Sequence, residues 1–210
     1  MPFKDVMATL LHEIEEKARV LDEAQAYSRR VVLFSKQAVM AMHRQDLQEA
    51  VSKLSEAEKI LMELDKLLLD PSASYVKTAY QEYSEAMILL ASIRGEEFPS
   101  PRDIGVPTIP YILGLADCIG ELRRSALDAL RRGEIGVAER RLLLMEEVYS
   151  ELLPFLDFYP MFSELRRKMD VARHLIELTL GDVSWEQRRG SLERALKLLE
   201  KRIVVDKGET

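Results

Sequence analysis

From Phe3 to Arg44 neither proline nor glycine interrupts the chain, and apolar side chains recur every three or four residues. Val6, Leu10, Ile14, Ala18, Leu21, Ala24, Val31, Phe34, Ala38 and Met42 share one stripe at the helical period. The pattern predicts one helix over about residues 3–44. The same period predicts a second over about 46–69, stopping at Asp70-Pro71, because proline disfavours helix in the residue before it. A third starts near Ser72 or Ser74, both N-cap types, and runs to about Ile93. Pro99, Pro101, Pro107 and Pro110 make residues 95–110 a stiff connector. Further helices follow over about 110–131, 134–152, 160–181 and 184–204. Gly133 ends the first of these, and Ser184 with Gln187 forms a capping-box pattern at the start of the last. No alternation of strand type appears. The expectation is an all-α fold of seven helices in a single domain, residues 1–210, with Trp185 in its core.

Composition agrees and excludes much else. Only 9 Gly and 8 Pro stand among 210 residues, and 47% hydrophobic with 31% charged residues describes a folded chain. The single cysteine, Cys118, permits neither an internal disulfide framework nor a cysteine zinc site, and its apolar helix marks it as core. The N-terminal run is broken by acids, and no stretch reaches the roughly 20 apolar residues of a membrane span. A reducing, cytoplasmic compartment and no membrane partner are expected. There is no G-x-S-x-G, P-loop, G-x-G-x-x-G or H-E-x-x-H motif. A net charge of −6 does not advertise a nucleic-acid partner. Six Arg-Arg pairs, Arg29-Arg30 and Arg123-Arg124 among them, read first as solvated helix faces.

Two segments stand apart. Between Lys77 and Arg94 the only charges are Glu82 and Glu85; between Asp103 and Arg123 they are Asp117 and Glu121. At 100° per residue these pairs lie about 60° and about 40° apart, so each occupies one face of an otherwise apolar helix. A helix apolar nearly all round belongs inside something, and a carboxylate there must be ion-paired, hydrogen-bonded, protonated or metal-bound. Arg123, Arg29 or Arg44 could pair with the acids. Alternatively the two pairs could face each other as an all-oxygen cluster, which suits Mg²⁺ or Mn²⁺. A ferritin-like di-iron site wants Glu-x-x-His, which His12, His43 and His174 do not provide.

YILGLADCIGELRR (111–124) resembles the signature helix of the TRAX (translin-associated factor X) side of the translin family. YQEYSEA (80–86) is similar to that family's other acidic motif, and SRRVVLFSKQAVMAMHR (28–44) resembles its first helix. The resemblance runs from about Ala18 to Gly181 and is closest to the compact archaeal form; Leu180 stands where the family often has arginine. It implies a seven-helix subunit assembling into a hollow homo-oligomer, typically an octamer, that binds RNA inside. It also implies a Mg²⁺-dependent endoribonuclease, with Mn²⁺ as a substitute. Glu82, Glu85 and Asp117 would be the metal-binding catalytic acids and Glu121 a fourth catalytic member. Arg29, Arg30, Lys36, Arg44, Arg123 and Arg124 become candidates for phosphate contacts, with Lys36 and Arg44 on matching positions. The implied substrate is single-stranded or short duplex RNA, with single-stranded DNA as a further ligand. A non-catalytic RNA- or DNA-binding protein of translin type, and a structural bundle with paired acids, are the alternatives.

Overall fold

The computed structural model of the chain describes residues 2–67, 74–158, 160–161 and 163–208. Among the described residues there are six α-helices, one 3-10 turn and no strand. The helices are α1 (Phe3–His43), α2 (Leu47–Leu67), α3 (Ser74–Arg94), α4 (Thr108–Arg131), α5 (Ile135–Leu152) and α6 (Leu165–Gly208), with the 3-10 turn at Leu153–Phe158. The all-α expectation holds and the count of seven helices does not. The predicted stop at Asp70-Pro71 and the cap at Ser72 lie outside the described residues. No helix among them is long and apolar enough to cross a membrane.

Residue contacts group the chain into two units, 1–118 and 119–210, with α4 contributing to both. In the first unit α1 packs against α2 and α3. Its buried residues Ala24, Ser28, Val31, Ser35, Ala38 and Met42 alternate in steps of four and three. Ala50, Leu54, Ala57, Leu61 and Leu64 do the same on α2. This alternation keeps one seam facing the neighbouring helix, and the small residues let the backbones close up. The α1–α2 turn is tight. Gln45 takes the left-handed conformation at φ 65°. The Asp46 amide returns to the Ala41 carbonyl at 3.0 Å. Asp46 Oδ1 then accepts from the Glu49 amide at 2.9 Å, which caps α2.

The connector is shorter than expected, because α4 starts at Thr108 and takes Pro110 into its first turn. Helix-start amides have no internal acceptor, so proline costs little there. Ser100 and Asp103 bond each other's backbone amides. Hydrogen bonds from the Ser100 hydroxyl and then from its backbone amide hold the Asp103 carboxyl below its ordinary pKa. The Tyr111 hydroxyl donates to the Pro99 carbonyl at 2.7 Å, which ties the connector to α4.

In the second unit, Ala126 and Ala129 of α4, Ala138 and Leu142 of α5 and Val183 of α6 form a buried cluster. The break expected at residues 181–184 does not occur. A mid-helix glycine costs about 1 kcal/mol against alanine, and the contacts on both sides of Gly181 exceed that. Thr179 is buried and accepts from Arg123 Nη1 at 2.7 Å. Asp182 pairs with Arg123 at 3.0 Å, and Val183 is buried. Gln187 donates its side-chain amide to Glu139 instead of closing a capping box. Trp185 is 70% exposed, which corrects its expected place in the core. Cys118 is buried, as expected.

Asp46→Ala removes the α2 cap and is expected to lower stability by about 1 kcal/mol. Asp46→Asn should retain most of that, and chemical denaturation of the two variants beside the parent chain measures the difference.

Candidate active site

Glycine lets α3 and α4 touch. A Cβ added at Gly114 would lie 2.7 Å from the Gln81 carbonyl oxygen and 2.9 Å from Ser84 Cβ. Real side chains never approach that closely, so the crossing admits only glycine on the α4 side. The crossing sets Gln81 and Glu85 of α3 against the turn of α4 that ends in Asp117. Gln81 Nε2 donates to Asp117 Oδ2 at 2.5 Å and closes the join.

The acids sit where the charge pattern places them. Glu82, Glu85, Asp117 and Glu121 are all half-buried, while Tyr83, Ser84, Ala86, Ala116, Cys118 and Leu122 beside them are buried. Asp117 and Glu121 lie one turn apart on α4. Glu82 Oε1 meets Lys36 Nζ of α1 at 3.2 Å. Two of the three expected arginine partners are engaged elsewhere: Arg123 with Asp182 and Thr179, and Arg44 with Glu49 at 2.8 Å. The Lys36 side chain is 59% exposed and that of Glu82 22%. A pair that open to water contributes under about 1 kcal/mol, so Lys36 is a displaceable partner. Arg29, Arg30 and Lys36 are exposed on α1, and Arg124 is exposed on α4.

Below this face, α3 is held down by its tyrosines. The Tyr80 hydroxyl donates to Asp65 of α2. Burial first, then the Asp65 hydrogen bond and charge, push that hydroxyl above the ordinary phenol range. Burial, then the charge of Glu58, does the same to Tyr83. Both stay neutral at ordinary pH. Gln81 and Gly114 are the residues that spacing did not single out. A glycine inside a strong helical pattern was the available signal for one, and Gln81 carried none.

Among the described residues, no three His, Cys, Asp or Glu side chains already converge to hold a metal ion. The donor chemistry still suits Mg²⁺, which is commonly held by one or two carboxylates with water and substrate phosphate completing its shell. Glu85 and Asp117, half-buried on the helix turns that meet at Gly114, are donors of the kind and number that such an ion takes from protein.

Fold and site together define an all-α protein whose polar chemistry is concentrated in carboxylates on two apolar helices. The translin family model matches residues 12–177, and the chain belongs to the translin family. It is 32% identical over 182 residues to an uncharacterized protein of Methanocaldococcus jannaschii, covering 85% of this chain and 82% of that one. Two solved structures of AfC3PO, one a complex with duplex RNA, superpose with a TM-score of 0.81. They are 30% and 31% identical and cover 87% of this chain and 97% of theirs. Apo-NeC3PO is similar at TM-score 0.77 and 26% identity, over 89% of this chain and 98% of that one.

Gly114→Ala is expected to cost about 1–3 kcal/mol by forcing the crossing apart. Gly120→Ala is the control on the same helix, since its Cβ would meet only Leu175 Cδ1 at 3.9 Å. Thermal unfolding should therefore show a fall for the first and no loss for the second.

Proposed function

We propose that the chain is a TRAX-type, metal-dependent endoribonuclease that cleaves short or single-stranded RNA inside a homo-oligomeric shell. The observation that carries this reading is the α3–α4 face: Gly114 and Gln81 fix Asp117 beside the helix turns that bear Glu82 and Glu85. Four half-buried acids stand on two helices that carry no other charge over residues 78–93 and 108–122. The duplex-RNA complex of AfC3PO supports RNA as the ligand class. Single-stranded DNA is a further ligand, an octamer is the assembly, and the reducing cytoplasm is the setting.

Glu82, Glu85 and Asp117 would hold Mg²⁺, or Mn²⁺ in its place, with Lys36 giving up Glu82 to the ion. The bound ion would supply Lewis-acid stabilisation of the scissile phosphate and a more acidic water. Glu121 would orient the attacking water and accept its proton as the water oxygen bonds to phosphorus, while the P–O bond to the departing oxygen breaks and that oxygen takes a proton from solvent. Arg29, Arg30, Lys36, Arg44 and Arg124 supply phosphate contacts that set the strand's register without reading bases. Arg123 contributes mainly by anchoring α4 on α6, and phosphate would have to compete with Asp182 for it.

A second reading has its own observation. The pairing of Glu82 with Lys36 and of Asp117 with Gln81 also satisfies a protein that binds RNA or DNA and cuts nothing.

A labelled single-stranded RNA and a short duplex, each incubated with Mg²⁺ and with EDTA, separate the two. The expected result is cleavage by the parent chain with metal alone, lowered about 100-fold or more in Asp117→Asn, with RNA affinity retained. Cleavage by Asp117→Asn at the parent rate would remove the metal mechanism. Salt-sensitive binding without any cleavage would leave the translin-type binding protein.

A further inference from the structure

At the α3–α4 join the backbone of Gln81 and its side chain have separate tasks. The atoms that a Cβ at Gly114 would strike are the Gln81 carbonyl oxygen, Ser84 Cβ and, at 3.1 Å, the Glu85 amide nitrogen. None of them belongs to the Gln81 side chain. Nor does that side chain seat α3 on its neighbours. Tyr80, Tyr83 and Ser84 are buried, with Tyr80 bonded to Asp65 of α2. Ser84 Oγ donates within α3, to the Tyr80 carbonyl at 2.7 Å. The half-buried Gln81 side chain reaches across the join instead, and its amide donates to Asp117 Oδ2.

The Gln81 amide carries no charge. A lysine or arginine there would hold the carboxylate by offsetting its charge, and a metal ion would have to displace it, as it would displace Lys36 from Glu82. An amide hydrogen holds Asp117 and leaves its negative charge whole. A carboxylate offers about four lone-pair sites, so an amide and an ion can share it. The hydrogen bond also fixes the rotation of the carboxylate in advance, and that ordering is then not taken from the free energy of ion binding. We infer that Gln81 is a positioning residue that sets the divalent-cation affinity of this face by holding Asp117 oriented and fully charged. The inference rests on Asp117 as a metal ligand in the proposed function and is independent of cleavage.

Titration of the metal-free full chain with Mn²⁺, read by the electron paramagnetic resonance of the free ion, tests it. Gln81→Met keeps the length of the side chain and removes the donor. Its Mn²⁺ affinity should fall about 10- to 100-fold, and Mn²⁺ should raise its unfolding temperature less than that of the parent chain. RNA cleavage at low Mn²⁺ should fall with the affinity and return toward the parent rate as Mn²⁺ is raised. A defect confined to the fold would not be recovered by metal. Helical circular dichroism and cooperative unfolding in EDTA report the fold of the variant, and Gln81→Ala, with the best helix former, repeats the titration if Met is not accommodated. Equal Mn²⁺ affinity in parent and folded variant overturns the role of Gln81 and leaves the metal mechanism standing. A parent chain that binds no Mn²⁺ overturns both. A fall in affinity in a chain that cuts no RNA upholds the role of Gln81 and removes only the nuclease. Cleavage that stays low at saturating Mn²⁺, or loss of the fold in both variants, assigns Gln81 to structure alone and overturns the inference.

Discussion

A carboxylate on an apolar helix has to be reached by something polar, and here the reach is set by a contact to which α4 brings no side chain. Gly114 has no side chain, so α4 settles directly onto the Gln81 carbonyl and Ser84 of α3. Only at that separation does the Gln81 amide meet Asp117. One methyl group at residue 114 would push the two helices apart at this point and lengthen that hydrogen bond. The tyrosines beneath α3 act in the same sense. Tyr80 is fully buried and bonded to Asp65 of α2, so α3 cannot roll to relieve the crossing. The acids are thus positioned by packing, and their electrostatic partners only complete the arrangement.

Magnitudes separate the parts of this site that are fixed from those that can change. The Lys36–Glu82 pair is open to water and contributes little to stability. The Arg123 pair is different. Its guanidinium side chain is 18% exposed and reaches both Thr179 and Asp182 of α6. Breaking a charge-assisted network at that burial costs more than an exposed pair can. Arg123 therefore behaves as part of the scaffold, and Lys36 as a counter-ion that a competing cation or phosphate can replace.

The four acids were legible in the sequence because charge is counted locally: a window holding two carboxylates and nothing else charged needs no knowledge of the fold. Their partners were not legible. Glu82 finds Lys36, 46 positions away on another helix, and Asp117 finds an uncharged glutamine, which no charge count would flag. The helices follow the same division. The span of α1 and the positions of α2 to α5 came from periodicity and differ by a few residues at their ends. Ser184 with Gln187 carried a sound local signal for a helix start, and it lost to tertiary contacts. Asp182 and Val183 fasten the segment on one side, and Gln187 is taken by Glu139 on the other. A capping box is worth about 1 kcal/mol, less than the buried contacts that interruption would forfeit. Trp185 follows from that continuity. With α6 unbroken, the buried face passes through Thr179 and Val183, and residue 185 falls on the opposite side.

Side-chain size along α1 follows the same logic of burial. A heptad stripe that is buried by its own chain can use small residues, since the neighbouring backbone is already held close, and the lower half of α1 does so. A stripe that must attract a partner from solution has to offset the loss of translational freedom, which requires more apolar area per residue. Phe3, Met7, Leu10 and Ile14 supply that area on α1, and Trp185, Leu192 and Leu196 supply it on α6. Side-chain size along a constant register thus marks where burial within the chain ends.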